Sequence, residues 1–400
     1  MSRSHILFFG FDDQSQGDLN RLKATLTENW QAEIATDIEI LKANTNNQPV
    51  DVVVSCGNAL NSEKLERLIQ IEPLQPQAVR ILISNSNDKA IMTKAAESFH
   101  RIVPPTIETS VFETMLNNSI SLHNLLTNDS IRERIASIKS LPSSPDLYKQ
   151  ITSQLASDNA TIGSIAELIS KDISITTKLL QLVNSAYFGL QQRVETVFKA
   201  INMLGIDTVK SIVFAAGVFG QFDDPKIPGY SIESIYNNSM TIAARARLIA
   251  QVFDNVNVHP ENILMASMMH DVGKLMMLSE FQQEFKDSLN VAQQKNIPLY
   301  LAEKEVMGVT DAELGAYLLS LWAIPDQILE AVAFRYTPSQ VSAPTVNTLT
   351  AVHLAYAITY DEKMNLRTDE NSAVDFDYIG KVGLTNHIQN LRMLCPAASA

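Results

Sequence analysis

Over the first ~125 positions, apolar residues come in short continuous runs separated by helical patterns. Ile6 to Phe9 is such a run, as expected of a strand buried on both faces. Leu19, Leu22 and Leu26 then recur at helical spacing. Val50 to Val54, broken only by Asp51, and Val79 to Ile83 read as two further strands, with a helix between them marked by Leu65, Leu68 and Ile69. Ile102 and Val103 form a short last strand that Pro104-Pro105 stops. Phe112, Met115, Leu116 and Ile120 then mark a closing helix. This rhythm predicts a small doubly wound parallel sheet over residues 1–125 that ends in a linker helix.

From about Asn128 the period changes. Apolar residues recur at i, i+3, i+4 and i+7 in successive stripes, and strand signals vanish. The stripes are Ile162, Ile165, Ala166 and Ile169; Ile175, Leu179, Leu182 and Val183; Val194, Val197, Ile201 and Leu204; and Val209, Ile212, Val213 and Ala216. After a loop at Asp223 to Gly229, helical patterning resumes near Ser231 and runs to about Tyr360. The expected organisation is an all-α domain over 126–360, followed by a polar loop and short helical tail over 361–400.

Composition adds limits. The chain has 400 residues, 46% hydrophobic and 19% charged, enough to fill two cores. With 31 Lys plus Arg against 44 Asp plus Glu the formal charge is −13, which disfavours phosphate backbones and anionic lipid surfaces. No nucleic-acid partner is expected. No apolar run reaches the ~18 residues of a membrane span, so no membrane insertion and a cytoplasmic location are expected. Cys56 and Cys395 stand far apart, without the pair spacing of a zinc ribbon or a thiol-redox motif.

The sharpest local motif is Met269-His270-Asp271-Val272-Gly273-Lys274-Leu275. An adjacent His-Asp pair on a helix supplies two ligands of a hard-metal site that lowers the pKa of bound water, but at least two more must converge on it. Around it lie further blocks in order. These are Leu141-Pro142-Ser143-Ser144-Pro145, Val183-Asn184-Ser185-Ala186-Tyr187-Phe188-Gly189, Ala200-Ile201-Asn202-Met203-Leu204-Gly205, Asp311-Ala312-Glu313-Leu314-Gly315-Ala316, Trp322-Ala323-Ile324-Pro325 and Pro338. Through these blocks the chain resembles the HDOD family, the non-catalytic relatives of the HD phosphohydrolases, over roughly 137–356.

The resemblance also exposes departures. Where active HD enzymes carry a His before the residue matching Ser239, this chain has Asn238. Asp311 stands where another His is usual, Arg335-Tyr336 where a His pair precedes the Pro, and Tyr356 where the last Asp ligand belongs. Only His270 and Asp271 survive, and Arg335 places a fixed positive charge where a cation would sit. The resemblance therefore implies a vestigial site with no catalytic residue, no metal and no cofactor. His270 and Asp271 are then a hydrogen-bonded pair that locks helices together. The Gly-Tyr-Pro block of cyclic-dinucleotide hydrolases is absent after Lys274.

The N-terminal unit resembles a two-component receiver. Such a domain needs an acidic pair after the first strand, an Asp phosphoacceptor after the third, a hydroxyl after the fourth and a Lys after the fifth. Here Gly10-Phe11 stand at the acidic pair, with Asp12 and Asp13 just beyond as loop or cap residues. Cys56 stands at the acceptor, Ser84 at the hydroxyl and Pro104 at the Lys, so phosphotransfer is expected to be lost. For Cys56 the plain reading is a small half-buried residue at a strand end.

Together these readings predict an α/β doubly wound receiver-like N-terminal domain followed by an all-α HDOD domain. The implied function is bacterial signal transduction without chemistry, through contacts with other signalling proteins such as a kinase, cyclase or regulator. Self-association is left open. The rival class is a metal-dependent hydrolase of phosphomonoesters or cyclic dinucleotides with an atypical ligand set. A third is nucleotide binding without turnover.

Overall fold

A computed structural model describes residues 4–12, 15–24, 26, 30–36, 50–57, 60–71, 73–75, 78–86, 88–99, 101–126, 128, 130–131, 134–135, 138, 142–155, 157, 160–184, 188, 190, 192–253, 258–322, 324–366 and 372–394. Asp13, His100, Leu141, Ser185, Ala186, Tyr187, Gly189, Ala323 and Cys395 lie outside these residues. The chain divides into two compact units, one of residues 1–127 with 341–343, the other of 128–340 with 344–400.

The first unit runs β1 (Ser4–Phe9), α1 (Gln16–Lys23), β2 (Trp30–Ala35), β3 (Val52–Cys56), α2 (Ser62–Ile69), β4 (Val79–Ile83), α3 (Lys89–Ser98), β5 (Arg101–Val103) and α4 (Thr109–Leu126). Its strands form one parallel sheet in the order β2-β1-β3-β4-β5. This is the doubly wound order of receiver-type folds, with the switch point between β1 and β3. Alternation along each strand explains the two covering layers. Ile6, Phe8, Val52, Val54, Ile81 and Ile83 face α1 and α4, where they meet Leu19, Leu22, Phe112 and Leu116. Leu7, Phe9, Val53 and Leu82 face α2 and α3, where they meet Leu65, Leu68 and Ala95.

The sequence pattern did not show β2. As an edge strand, Trp-Gln-Ala-Glu-Ile-Ala buries only its end residues Trp30 and Ala35, with the four between them partly or fully exposed, and it lacks the apolar run of its neighbours. The third strand also begins later than the Val50–Val54 run suggests, at Val52, with Asp51 Oδ2 accepting from the His5 N–H at 2.7 Å just ahead of it.

The strand ends at the switch point are closed by packing. Gly10 takes φ +72°, and a Cβ there would stand 2.8 Å from the Leu68 side chain. Phe11 is buried with its ring edge-on to Phe8. Cys56 is fully buried in the α1/α4 layer, deeper than the half-buried position expected. The Ser84 hydroxyl donates to the Gly57 carbonyl at 3.1 Å. Asp12 accepts from the Ser15 N–H at 3.0 Å and closes the turn into α1. Acetyl phosphate is expected to leave the full chain unlabelled in intact-mass measurement, and Cys56→Asp is expected to remain unlabelled. That variant also buries a carboxylate among aliphatic side chains and should lose more than about 2 kcal/mol in denaturant unfolding. A gain of one phosphate on either protein would contradict this account.

The second unit is helical among the described residues. It comprises α5 (Asp146–Leu155), α6 (Ile162–Ser170), α7 (Ile173–Val183), α8 (Val197–Leu204), α9 (Ile206–Phe219), α10 (Ile232–Val252), α11 (Pro260–Met269), α12 (Val272–Glu280), α13 (Gln282–Lys295), α14 (Leu299–Met307), α15 (Asp311–Leu321), α16 (Asp326–Ala333), α17 (Thr348–Lys363), α18 (Phe376–Lys381) and α19 (Ile388–Leu394). The predicted stripes bury Ile165, Leu179, Val197 and Ile212, whereas Ile162 at the start of α6 is exposed. Residues set apart as a tail enter the main core: Tyr378, Ile379, Ile388 and Leu391 pack with Ile242 and Ile249 of α10 and Leu354 and Ile358 of α17. Among the described residues no helix is long and apolar enough to cross a membrane.

Candidate functional site

The His-Asp pair sits at the junction of two helices rather than within one. His270 closes α11, and Asp271 precedes the first residue of α12. Asp311 is the first residue of α15, whose start is fixed by a capping box. The Thr310 hydroxyl accepts from the Glu313 N–H at 3.1 Å, and the Glu313 carboxylate accepts from the Thr310 N–H at 2.8 Å. Both carboxylates thus stand at helix N-termini, where the backbone dipoles favour negative charge.

Two glycines bring these helix starts together. A Cβ on Gly273 would fall 1.9 Å from the Asp311 carbonyl oxygen, and one on Gly315 would fall 2.9 Å from Gly273 N. So α12 and α15 touch backbone to backbone, and only glycine permits it.

Two cations fill the space between the carboxylates. Lys274 Nζ lies 2.6 Å from Asp271 Oδ1 and 3.4 Å from Asp311 Oδ2. Arg335 Nη2 lies 2.6 Å from Asp311 Oδ2 and 3.6 Å from Asp271 Oδ1. Each cation therefore contacts both carboxylates. Asp271, Asp311 and Arg335 are almost wholly buried, and Lys274 is nearly so. Arg335 also donates through Nη1 to the Val332 carbonyl at 3.0 Å and through Nη2 to the Tyr336 hydroxyl at 2.9 Å.

Around this cluster, His270 donates through Nδ1 to the Ser267 carbonyl at 2.6 Å, with Nε2 3.3 Å from Asp271 Oδ2. The Asn238 amide donates to Asp271 Oδ2 at 3.4 Å and accepts from Lys363 Nζ at 2.5 Å. Tyr356 sets its ring edge-on to His270 and to Tyr336. All seven residues singled out from the sequence (Asn238, His270, Asp271, Asp311, Arg335, Tyr336 and Tyr356) therefore meet in one place.

The sequence reading did not find Lys274 as the second cation, although its i+3 spacing from Asp271 is a helical ion-pair signal. It also missed Glu303 on α14, which no local pattern marks. Glu303 Oε2 accepts from the Asp311 N–H at 2.9 Å.

The electrostatics follow from burial and pairing. Burial alone would raise the Asp271 carboxyl, but His270, Lys274 and Arg335 hold it well below the usual carboxylate range. Burial works against the Lys274 ammonium, yet Asp271 and Asp311 keep it charged beyond the ordinary lysine range. Glu303 goes the other way: burial, and Asp311 beside it, raise its carboxyl well above the ordinary value. The cluster thus sets two cations on two carboxylates, with Glu303 beside them held toward its protonated form by burial and by Asp311.

A divalent metal does not fit this donor set. Asp271 Oδ1 and Asp311 Oδ2 are taken by ammonium and guanidinium. His270 Nε2 and Asp311 Oδ1 are buried without a hydrogen-bond partner among the described residues, but the fixed charge of Arg335 lies against the same carboxylates. No group of three or more His, Cys, Asp or Glu among the described residues is arranged to hold a metal ion.

Removing one charge should be costly and removing a matched pair less so. Arg335→Met is expected to lose about 3–5 kcal/mol in denaturant unfolding, with Arg335→Met/Asp311→Asn recovering part of that loss. A double variant no more stable than the single one would show that the charges do not act as a set.

Stability should also depend on pH with opposite signs at two groups. The depressed Asp271 carboxyl contributes stability above the unfolded value of about 3.9, and this is lost as pH falls through its folded value. The raised Glu303 carboxyl contributes below the unfolded value of about 4.3, and this is lost as pH rises through its folded value. Glu303→Gln should therefore flatten the alkaline side of a stability–pH profile while leaving the acid side. An unchanged alkaline side would rule Glu303 out.

Comparisons with known proteins agree with this architecture. Residues 141–338 match the model of the HDOD domain. A relative of unassigned role from Treponema pallidum (strain Nichols) is 23% identical over 238 residues, which is 59% of this chain and 42% of the relative. The chain spans less than half the length of the curated relatives it matches. Among solved structures, an HDOD domain protein with unknown function from Geobacter sulfurreducens superposes with a TM-score of 0.52 at 20% identity, covering 68% of this chain and 98% of that one. A protein from Marinobacter aquaeolei VT8, provisionally designated a signal transduction protein, superposes with a TM-score of 0.50 at 14% identity, covering 90% of this chain and 84% of that one. At these identities the likeness to both structures is one of fold.

Proposed function

The C-terminal half carries an HDOD domain behind a receiver-like domain, and from that premise we propose that the chain is a non-enzymatic signal-transduction protein. The HDOD half acts by docking other signalling proteins, and the receiver-like half serves as an input or docking domain. The observation that carries this reading is the closed ion cluster. Arg335 and Lys274 each stand 2.6 Å from a carboxylate oxygen that a catalytic metal would need. Their charges are permanent in this setting, so the cluster is a structural joint between helices.

Several large apolar side chains on helices α6 to α8 support docking: Ile162, Ile173, Phe198 and Met203 are all exposed, Ile173 by 80%. Exposed apolar side chains of this size are common anchors for protein partners. The provisional designation of the Marinobacter protein is in keeping with such a role.

Two measurements test the reading. The purified full chain is expected to hold no stoichiometric Mn, Fe or Zn by elemental analysis, and to hydrolyse neither phosphomonoesters nor cyclic dinucleotides with any of these metals added. A tightly held metal lost together with an activity would overturn it. Ile173→Glu/Phe198→Glu should leave unfolding within about 0.5 kcal/mol of the parent while reducing capture of specific partners by the full-length bait. Undiminished capture would move the docking surface elsewhere.

A further inference from the structure

Next to the ion cluster the helical unit holds a cavity of about 490 Å³, within the ~300–1,000 Å³ range of small-molecule sites. Lys274, Asn238 and Tyr336 belong both to the cluster and to the cavity wall. Tyr230, Tyr300, Tyr356 and Tyr360 add ring surface to the wall, beside aliphatic side chains such as Ile242, Leu299 and Val374 and the charged Lys363 and Asp375. Tyr300 stacks on Tyr336 with ring centres 4.4 Å apart and planes at 9°, and the Arg335 guanidinium lies 4.2 Å from the Tyr336 ring. That wall is thus preformed and offers broad ring surface.

The polar groups of the wall are mostly donors. The hydroxyls of Tyr300, Tyr356 and Tyr360 make no hydrogen bond among the described residues. Lys363, in the last turn of α17, rests its ammonium on Asn238 Oδ1 at 2.5 Å and makes no ion pair among the described residues. The carboxylate on this wall, Asp375, is committed, since its Oδ1 accepts from the Tyr378 N–H and its Oδ2 from the Ser339 N–H, both at 3.0 Å. Asp271 and Asp311 are already neutralised by Lys274 and Arg335. A cavity with phenol donors, an ammonium without a carboxylate and stacked aromatic walls is complementary to a ligand with anionic oxygens and a planar ring.

We propose that this cavity is a binding site for a nucleoside monophosphate, with the base against the tyrosine wall and the phosphate on Lys363 and the adjacent phenol hydroxyls. The charge available favours one phosphate. Lys363 is the ammonium without a carboxylate, and Lys274 is shared with Asp271 and Asp311, so a triphosphate would leave charge uncompensated. The site goes beyond the docking reading and does not depend on it.

Calorimetric titration of the full-length chain with AMP, GMP, CMP and UMP tests the site. At least one is expected to saturate with a Kd below about 1 mM. Its nucleoside alone and inorganic phosphate alone should each bind more than about tenfold more weakly. Lys363→Ala should weaken the nucleotide by about tenfold or more, and Tyr360→Phe should weaken it to a smaller degree. Lys363 is exposed, so its removal should leave the thermal unfolding curve in place, which separates loss of the site from loss of the fold. Absence of saturation by all four nucleotides at about 1 mM, phosphate alone binding as tightly as the nucleotide, or unchanged affinity in Lys363→Ala would each overturn the proposal. Hydrolysis of the bound nucleotide would leave the site standing and would overturn the non-enzymatic reading instead.

Discussion

The helical unit depends on one buried contact set, in which Asp271 and Asp311 share Lys274 and Arg335. Isolated, any of these charges would be prohibitively costly to bury; as a closed set of two and two, each offsets the desolvation of the others. The set exists only because α12 and α15 can touch, which Gly273 and Gly315 permit. It also reaches outward. The Arg335 carbonyl accepts from His353 Nδ1 at 2.8 Å, and His353 Nε2 accepts from the Asp375 N–H at 3.0 Å. Burial keeps His353 neutral by lowering its pKa, as these two bonds require. Asp375 in turn caps α18, so the ion cluster is linked by hydrogen bonds to the C-terminal helices.

The receiver-like unit closes its own strand ends differently. There the switch point of the sheet is filled by Phe11 and Cys56 on an apolar layer, and the Ser84 hydroxyl is spent on the backbone of Gly57. On the proposed reading the two units reach the same end by opposite chemistry. One fills the place of a metal and phosphoryl site with apolar side chains, the other with cations already paired. Neither filling leaves charge seeking a partner, and an ordered surface without turnover is what a docking protein requires.

Much of this was legible in the sequence because burial and period are local properties. The aliphatic runs at Ile6–Phe9 and Val79–Ile83 could only be strands covered on both sides, and the helical stripes reappear as the core of the second unit. What escaped were features whose meaning is set by neighbours. The edge strand Trp30–Ala35 carries interleaved polar residues because only part of it is covered. Glu303 looks like any surface glutamate on a helix, and only the fold places its carboxylate beneath the first N–H of α15. Arg335 was legible as a cation in the wrong place for a metal, yet the partners that neutralise it come from residues 271 and 311, which no sequence spacing links to it. The tail likewise read as polar, since Tyr378 and Leu391 are scattered, and its burial is decided by the groove between α10 and α17.

The cavity beside the cluster follows from the same constraint. A metal site must keep open coordination positions, and those positions need space above the ligands. On the proposed reading paired cations stand in place of a metal, filling the floor but not that space, and the tyrosines line it without closing it. Tyr336 is the hinge of this arrangement, because its hydroxyl accepts from Arg335 below while its ring carries Tyr300. The wall is therefore tied to a floor that cannot relax without exposing buried charge. A ligand held there would engage Lys363 at the end of α17, a helix that Arg245 on α10 also grips through Thr359 and Glu362. Occupancy could bias the second unit only through such shared contacts, since a ligand shifts an equilibrium no further than its differential affinity for the two states. A ligand in the cavity would touch α10, α12, α14 and α17 alike, so any response would be shared among these helices.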